Sequence, residues 1–221
     1  MMTNLFSSFD PMSSTFSFQA NWLSSAIFLL VIFPTFWVAN SKSGLLINEV
    51  LFTILKEFTP LFKSYKNLIF FITIFLFILV NNLFGLMPYT FTSTSHLAVS
   101  LSLALSLWLS FMIYGWINNT KHMFAHLVPL GTPIVLMPFM VLIETVSNII
   151  RPITLSVRLA ANLTAGHLLL ILLGESMVGA TPLIIIGVTL AQLALMTLEG
   201  AVAVIQSYVF ATLTTLYASE V

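Results

Sequence analysis

Long apolar runs separated by short polar breaks dominate the chain. A run of about 18 to 20 apolar residues is long enough to cross the roughly 30 Å hydrocarbon core of a bilayer as a helix. We therefore predict an all-α integral membrane protein that forms a single membrane domain. The predicted crossings are at 22–39, 68–87, 97–117, 134–173 and 182–218.

The segment 45–66 has a different pattern. Its apolar residues recur at helical spacing, while Glu49, Lys56 and Lys63 form a stripe on the opposite side. A helix with one apolar and one charged face lies in the membrane surface and does not cross it. We predict an amphipathic surface helix here, whose apolar face fits lipid.

The third run contains the strictly alternating stretch SLSLALSLWLS, a pattern typical of a strand in a membrane barrel. A barrel would need many such strands, and the other runs have the length and continuity of helices. The sequence therefore favours a helix over 97–117.

The last two runs are too long for upright helices. Residues 134–173 would extend about 60 Å as a helix, twice the thickness of the hydrocarbon core. Pro138 and Pro152 could kink this run, but one strongly tilted helix is the simpler interpretation. The run 182–218 has a similar excess, and the break from Gly174 to Gly179 separates the two. We expect them to pair as a tilted hairpin.

The run 134–173 carries an unusual set of polar side chains. Glu144, Arg151 and Arg158 are spaced by seven and fall near one helix face, with Asn162 four residues further on. His167 lies two and a half turns beyond Arg158 and so points to the opposite side. An arginine near the bilayer centre costs roughly 2.5 to 3.5 kcal/mol on insertion scales, which indicates a function or an acidic partner. Arg151, nearer the helix start, can instead extend its head to the interface.

A second polar stripe follows on the last run, where Gln192, Glu199 and Gln206 also recur at intervals of seven. Glutamate and histidine exchange protons, and chains of them mark proton routes in membrane proteins. Arginine keeps its proton and can serve only as a fixed positive charge. Together the two stripes indicate an ion pathway.

Composition agrees with the membrane prediction, since 59% of the 221 residues are hydrophobic, 6% are charged and the mean hydropathy is +1.07. Seven basic and seven acidic side chains cancel, which leaves no basic surface for nucleic acid. Without cysteine there is no thiolate metal site, and His122 and His126 lack a third ligand. We predict neither a metal nor a cofactor.

The basic residues also predict an orientation. With five crossings, the lysines of the loops all fall on one side of the membrane, and the C-terminus falls on that side too. The other side receives Glu175 and an N-terminal segment whose only charged side chain is Asp10.

Three classes of protein compete on these observations. An independent ion channel or transporter would conduct without a partner, but the two stripes lack the inverted repeats common in transporters. A structural subunit of a respiratory complex would tolerate neutralisation of Arg158. An enzyme acting on lipid is least favoured, because no nucleophile and base with recognisable spacing are present.

The segments IETVSNIIRPITLSVRLAANLTAGHLL and LEGAVAVIQSYVFATLTTLY resemble the signature region of subunit a of the F-type ATP synthase, in the form found in animal mitochondria. FTSTSHL, GWINNTKHMFAHLVPLGTP and the opening MMTNLF extend the similarity over nearly the whole chain. The resemblance implies a non-catalytic, proton-translocating stator subunit in the mitochondrial inner membrane. Its partners would be the c-ring, the peripheral stalk, other membrane-sector subunits, lipid and protons.

The resemblance also implies roles for single residues. Arg158 would face the carboxylate of the rotating c-ring as a barrier between two offset half-channels, with Asn162 and Gln206 nearby. His167 and Glu199 would line the channel from the intermembrane space. Glu144 would line the exit to the matrix, which becomes the lysine side. The chain lacks a Gly-rich phosphate loop, so ATP chemistry would belong to partner subunits.

Overall fold

The structure is a computed structural model in which the regions described fall into eight stretches. They are residues 5–12, 19–26, 42–61, 65–87, 90–128, 133, 136–179 and 181–220.

Within these stretches the chain forms α-helices and short 3₁₀ turns, with no β-strand. The prediction of an all-α membrane protein is confirmed, because α2, α3, α5 and α6 are each long and apolar enough to cross a bilayer. The greater part of the crossing predicted at 22–39 lies outside the described residues. The α-helices are α1 (Lys42–Phe58), α2 (Tyr65–Gly85), α3 (Leu97–Asn118), α4 (Thr120–His126), α5 (Met137–Ser176) and α6 (Pro182–Glu220).

Helix α3 shows why an alternating Ser–Leu sequence can lie in a membrane as a helix. The hydroxyls of Ser102, Ser106 and Ser110 each donate to the backbone carbonyl three residues earlier in the same helix. The polar groups are thus satisfied inside the helix, as a segment surrounded by lipid requires. The alternation therefore does not need a strand to place its serines.

Two apolar clusters hold the helices together. In the first, side chains of α2, α3, α5 and α6 meet, and its buried members are Ile78, Ala104, Leu107, Leu155, Leu159 and Phe210. In the second, the end of α1 is fixed against α2 and α6, through Phe58, Leu68, Ile72, Phe75 and Ala211. As a result α2 packs on α6, α3 packs on α5, and α5 and α6 contact each other.

The two long helices are continuous. Helix α5 has 40 residues and continues through the buried Pro152, so neither this proline nor Pro138 at its start divides it. A turn follows in which Gly179 has φ +83°, a conformation that glycine adopts without strain. Helix α6 then runs for 39 residues. The link between α3 and α5 contains the seven-residue helix α4.

Candidate functional site

Helix α5 has two contrasting faces around its middle. Leu155, Leu159 and Leu163 are buried against the rest of the chain. Arg158 lies on the other side and is exposed, as are its neighbours Val157 and Ala161. The side chain of Arg158 thus faces outward from the described part of the chain. The apolar residues before and after it on α5 indicate that it lies inside the membrane.

Arg158 has no acidic partner among the residues that the structure describes. The ion pair found there involves the other arginine of α5, and no hydrogen bond joins Arg158 to Asn162 or Gln206. Asn162, one turn further along α5, and Gln206 on α6 are both half-buried. A charged group in an apolar surrounding is costly unless it is paired. An acid that pairs with Arg158 would have to come from outside these residues.

Glu144 and Arg151 pair with each other. Arg151 Nη2 lies 3.2 Å from Glu144 Oε1, and both side chains are about one third exposed. The guanidinium also lies over the ring of Tyr217 on α6, 5.5 Å from the ring centroid. The expectation that Arg151 simply extends towards the interface is incomplete, because an acid two turns earlier on its own helix balances its charge.

This ion pair borders a cavity near the start of α5. The cavity has a volume of about 330 Å³, and Glu144, Arg151 and Asn148 contribute its polar wall. Its apolar wall comes from α3, α4 and α6, through Trp108, Phe111, Met112, Trp116, Met123 and Tyr217. The carboxylate of Glu144 therefore borders open space that is bounded by α4 at Met123.

A second cavity lies at the other end of α5, around His167. Its volume is about 480 Å³. Its walls come from the N-terminal segment, the stretch after α2 and both long helices, and include Ser8, Phe9, Asn21, Met87, Thr90, His167, Ile171 and Met196. The edge of the Phe9 ring meets the His167 ring with centroids 6.3 Å apart and an interplanar angle of 87°.

Glu199 lies beside this region, buried between the long helices. Its side chain is 8% exposed, and its carboxylate lies against the backbone of Gly166, the residue before His167. Neither carboxylate oxygen of Glu199, nor His167 Nε2, has a hydrogen-bond partner among the described residues. Buried polar atoms of this kind are ordinarily satisfied by water, which also conducts protons.

Arg158 lies between the two cavities. It is 14 residues beyond Glu144 and nine before His167, which corresponds to about 21 Å and about 14 Å along the helix. The four ionisable residues among the sequence-predicted site residues thus fall into three groups. Glu144 lines one cavity, His167 and Glu199 lie at the other end, and Arg158 is exposed between them.

Sequence reasoning missed Phe9 and the cavity that it lines. Phe9 stands in a short 3₁₀ turn, Leu5–Phe9, among serines, and no helical or strand period singles it out. Its contact with α5 arises only from the tertiary fold.

Comparisons with known proteins give consistent matches. The family model described as ATP synthase A chain matches residues 18–219. Three curated proteins called ATP synthase subunit a align over 100% of this chain and 100% of their own length. They are 58% identical over 224 residues in Drosophila melanogaster, 57% over 225 in Anopheles quadrimaculatus and 55% over 225 in Aedes aegypti.

Proposed function

This chain belongs to the ATP synthase A chain family, and from that premise we propose that it is the stator subunit that conducts protons to and from the rotating c-ring. Membership makes it a subunit of the membrane sector of an ATP synthase, with a part in proton transport and ATP synthesis. The proposal adds two offset half-channels, an arginine barrier and the residues that form them.

The observation that carries the proposal is the exposure of Arg158 without an acidic partner among the described residues. A fixed positive charge on an outward face of a membrane helix attracts a carboxylate from another chain. The c-ring carries a carboxylate that must lose its proton at the stator. Arg158 stabilises the ionised form of that carboxylate and repels a proton that would otherwise pass directly between the two channels.

The cavities at the two ends of α5 support separate routes to that carboxylate. His167 and Glu199 supply exchangeable protons at one end, next to a cavity of about 480 Å³. Glu144 supplies one at the other end, next to a cavity of about 330 Å³. Asn162, on the same helix as Arg158, and Gln206, on α6, are the further polar side chains that we assign to the proton path near Arg158.

The proton path follows from these positions. A proton taken up through the half-channel of His167 and Glu199 neutralises a c-ring carboxylate, which then rotates through the lipid without the cost of an unpaired charge. After this rotation the carboxylate reaches the other half-channel, releases its proton past Glu144 and is attracted to Arg158. The membrane potential contributes about 2.3 kcal/mol per charge per 100 mV.

Partners and location complete the proposal. The chain is non-catalytic and lies in the mitochondrial inner membrane, with its lysine-rich loops and its C-terminus on the matrix side. It contacts the c-ring through the face of α5 that bears Arg158. The peripheral stalk and other membrane-sector subunits hold it against rotation.

The test is ATP-driven proton pumping by the assembled complex carrying Arg158→Gln. We expect pumping to fall roughly a hundredfold, because losing a desolvated charge pair costs about 3 kcal/mol. Arg151→Gln is the matched control, since its partner Glu144 lies on the same helix. Loss of that partly exposed pair costs up to about 1 kcal/mol, or about fivefold. Equal pumping by both variants and wild type, with assembly intact, would refute the arginine barrier.

A further inference from the structure

A hydrogen bond joins the N-terminal 3₁₀ turn, Leu5–Phe9, to the residue that precedes α3. The carbonyl oxygen of Phe9 lies 3.0 Å from Nε2 of His96, the residue that precedes α3. A carbonyl can only accept, so the Nε2–H of His96 donates this hydrogen bond. Phe9 and His96 are 87 positions apart in the chain.

His96 is itself held in place by aromatic neighbours. Its ring centroid lies 5.3 Å from that of Trp22 and 5.1 Å from that of Phe91, and these two rings are 5.5 Å apart. Ser24 lies in a second 3₁₀ turn, Ala20–Ala26, and its hydroxyl donates to the carbonyl of Phe91 at 3.1 Å, which joins that turn to the same stretch. The donor of His96 therefore has a fixed position.

Phe9 links His96 to the half-buried His167. Its backbone accepts from His96, while the edge of its ring meets the ring of His167 and forms part of the cavity wall. Phe6, in the same turn, is 68% exposed and is not part of that wall. Of the two phenylalanines in this turn, Phe9 lines the cavity and Phe6 does not.

We propose that Phe9 covers the His167 cavity and fixes the orientation of the His167 ring, and that His96 is a positioning residue that acts through Phe9. The inference rests on the proposed function in one respect, namely that this cavity receives protons. Under that function the N-terminal segment sets how far water reaches His167.

The test measures access to the cavity directly. The chain has no cysteine, so Ile171→Cys, in the cavity wall, introduces a thiol unique to this chain. We expect a charged, membrane-impermeant maleimide to label it in the assembled complex about fivefold faster when Phe9→Ala is added. His96→Phe keeps a ring beside Trp22 but loses the N–H that donates to the Phe9 carbonyl. It should accelerate labelling by a similar factor, which is the size expected for one lost hydrogen bond.

Two further variants distinguish the positioning of Phe9 by His96 from a general destabilisation of the N-terminal turn. Phe6→Ala removes an exposed ring from the same turn, and His96→Gln keeps an N–H donor for the Phe9 carbonyl. Both should leave the labelling rate of Ile171→Cys unchanged. Equal labelling in all variants, or equal acceleration that includes Phe6→Ala, would overturn the inference.

Labelling does not require proton flow, so the two proposals can fail separately. Unchanged labelling in Phe9→Ala and His96→Phe, together with lost pumping in Arg158→Gln, would overturn only the proposal that Phe9 covers the cavity. Faster labelling in Phe9→Ala and His96→Phe, with wild-type pumping in Arg158→Gln, would support the cover and refute the proposed proton barrier.

Discussion

The carboxylate of Glu199 occupies the space that a side chain at Gly166 would fill. A Cβ built on Gly166 would lie 2.7 Å from Glu199 Cδ, closer than non-bonded carbon atoms approach, and would overlap the carboxylate itself. Glycine at this position therefore allows α6 to bring a buried acid against the backbone of α5, one residue before His167.

Gly166→Ala should displace the Glu199 carboxylate and leave the fold intact, because the overlapping atoms are at the end of a flexible side chain. A displacement of about 1 Å can slow a positioned transfer by up to about a hundredfold. We expect ATP-driven proton pumping to fall between about tenfold and a hundredfold. Gly174→Ala is the control on the same helix, since its Cβ would meet Gln192 Nε2 at an ordinary 3.7 Å. Equal pumping by the two variants would show that the exact place of Glu199 is unimportant.

Two adjacent alanines of α5 test the proposed contact of this helix with the c-ring. Ala160 is 5% exposed within the chain and Ala161 is exposed. Ala160→Leu should overpack the interior, cost about 1 to 3 kcal/mol and lower the thermal stability of the complex. Ala161→Leu should leave that stability unchanged but reduce coupled pumping about tenfold, corresponding to about 1.4 kcal/mol of interference at the rotor. Wild-type pumping in an assembled Ala161→Leu complex would place the rotor against another surface.

Phe58 should determine how firmly α1, the helix predicted to lie on the membrane surface, is docked. It is 1% exposed, belongs to a core cluster with α2 and α6, and lies 6.2 Å from the Tyr208 ring. Phe58→Ala should cost about 3 to 5 kcal/mol and accelerate amide hydrogen exchange in α1 by at least about a hundredfold. Phe52→Ala, which removes a 58% exposed ring from the same helix, should change exchange less than about fivefold. Similar exchange in both variants would mean that other contacts hold α1.

Helical periodicity predicted the relationships within α5. Seven residues are close to two full turns, so Glu144 and Arg151 had to share a face, and their ion pair confirms it. The same rule separated His167 from Arg158. In the structure Arg158 is exposed, while His167 is half-buried and lines a cavity.

The periodicity within each helix could not predict the contacts between different helices. The contact of Glu199 with Gly166 depends on the register of α6 against α5. Side-chain packing between the two helices sets that register, and the periodic pattern of either helix alone does not reveal it. The hydrogen bond between His96 and Phe9 spans 87 positions and joins segments without periodic signal. Helix α4 was missed for a related reason, since seven residues are too few to show an apolar face.

The length of α5 has a geometric consequence. A straight helix of 40 residues is about 60 Å long, so to stay within a hydrocarbon layer of about 30 Å it must incline by about 60° from the membrane normal. The 23-residue interval from Glu144 to His167 would then become about 30 Å of sideways displacement and about 17 Å of depth. A proton that changes depth along such an inclined helix must also move sideways, and in the proposed mechanism a rotating ring of carboxylates would supply that movement.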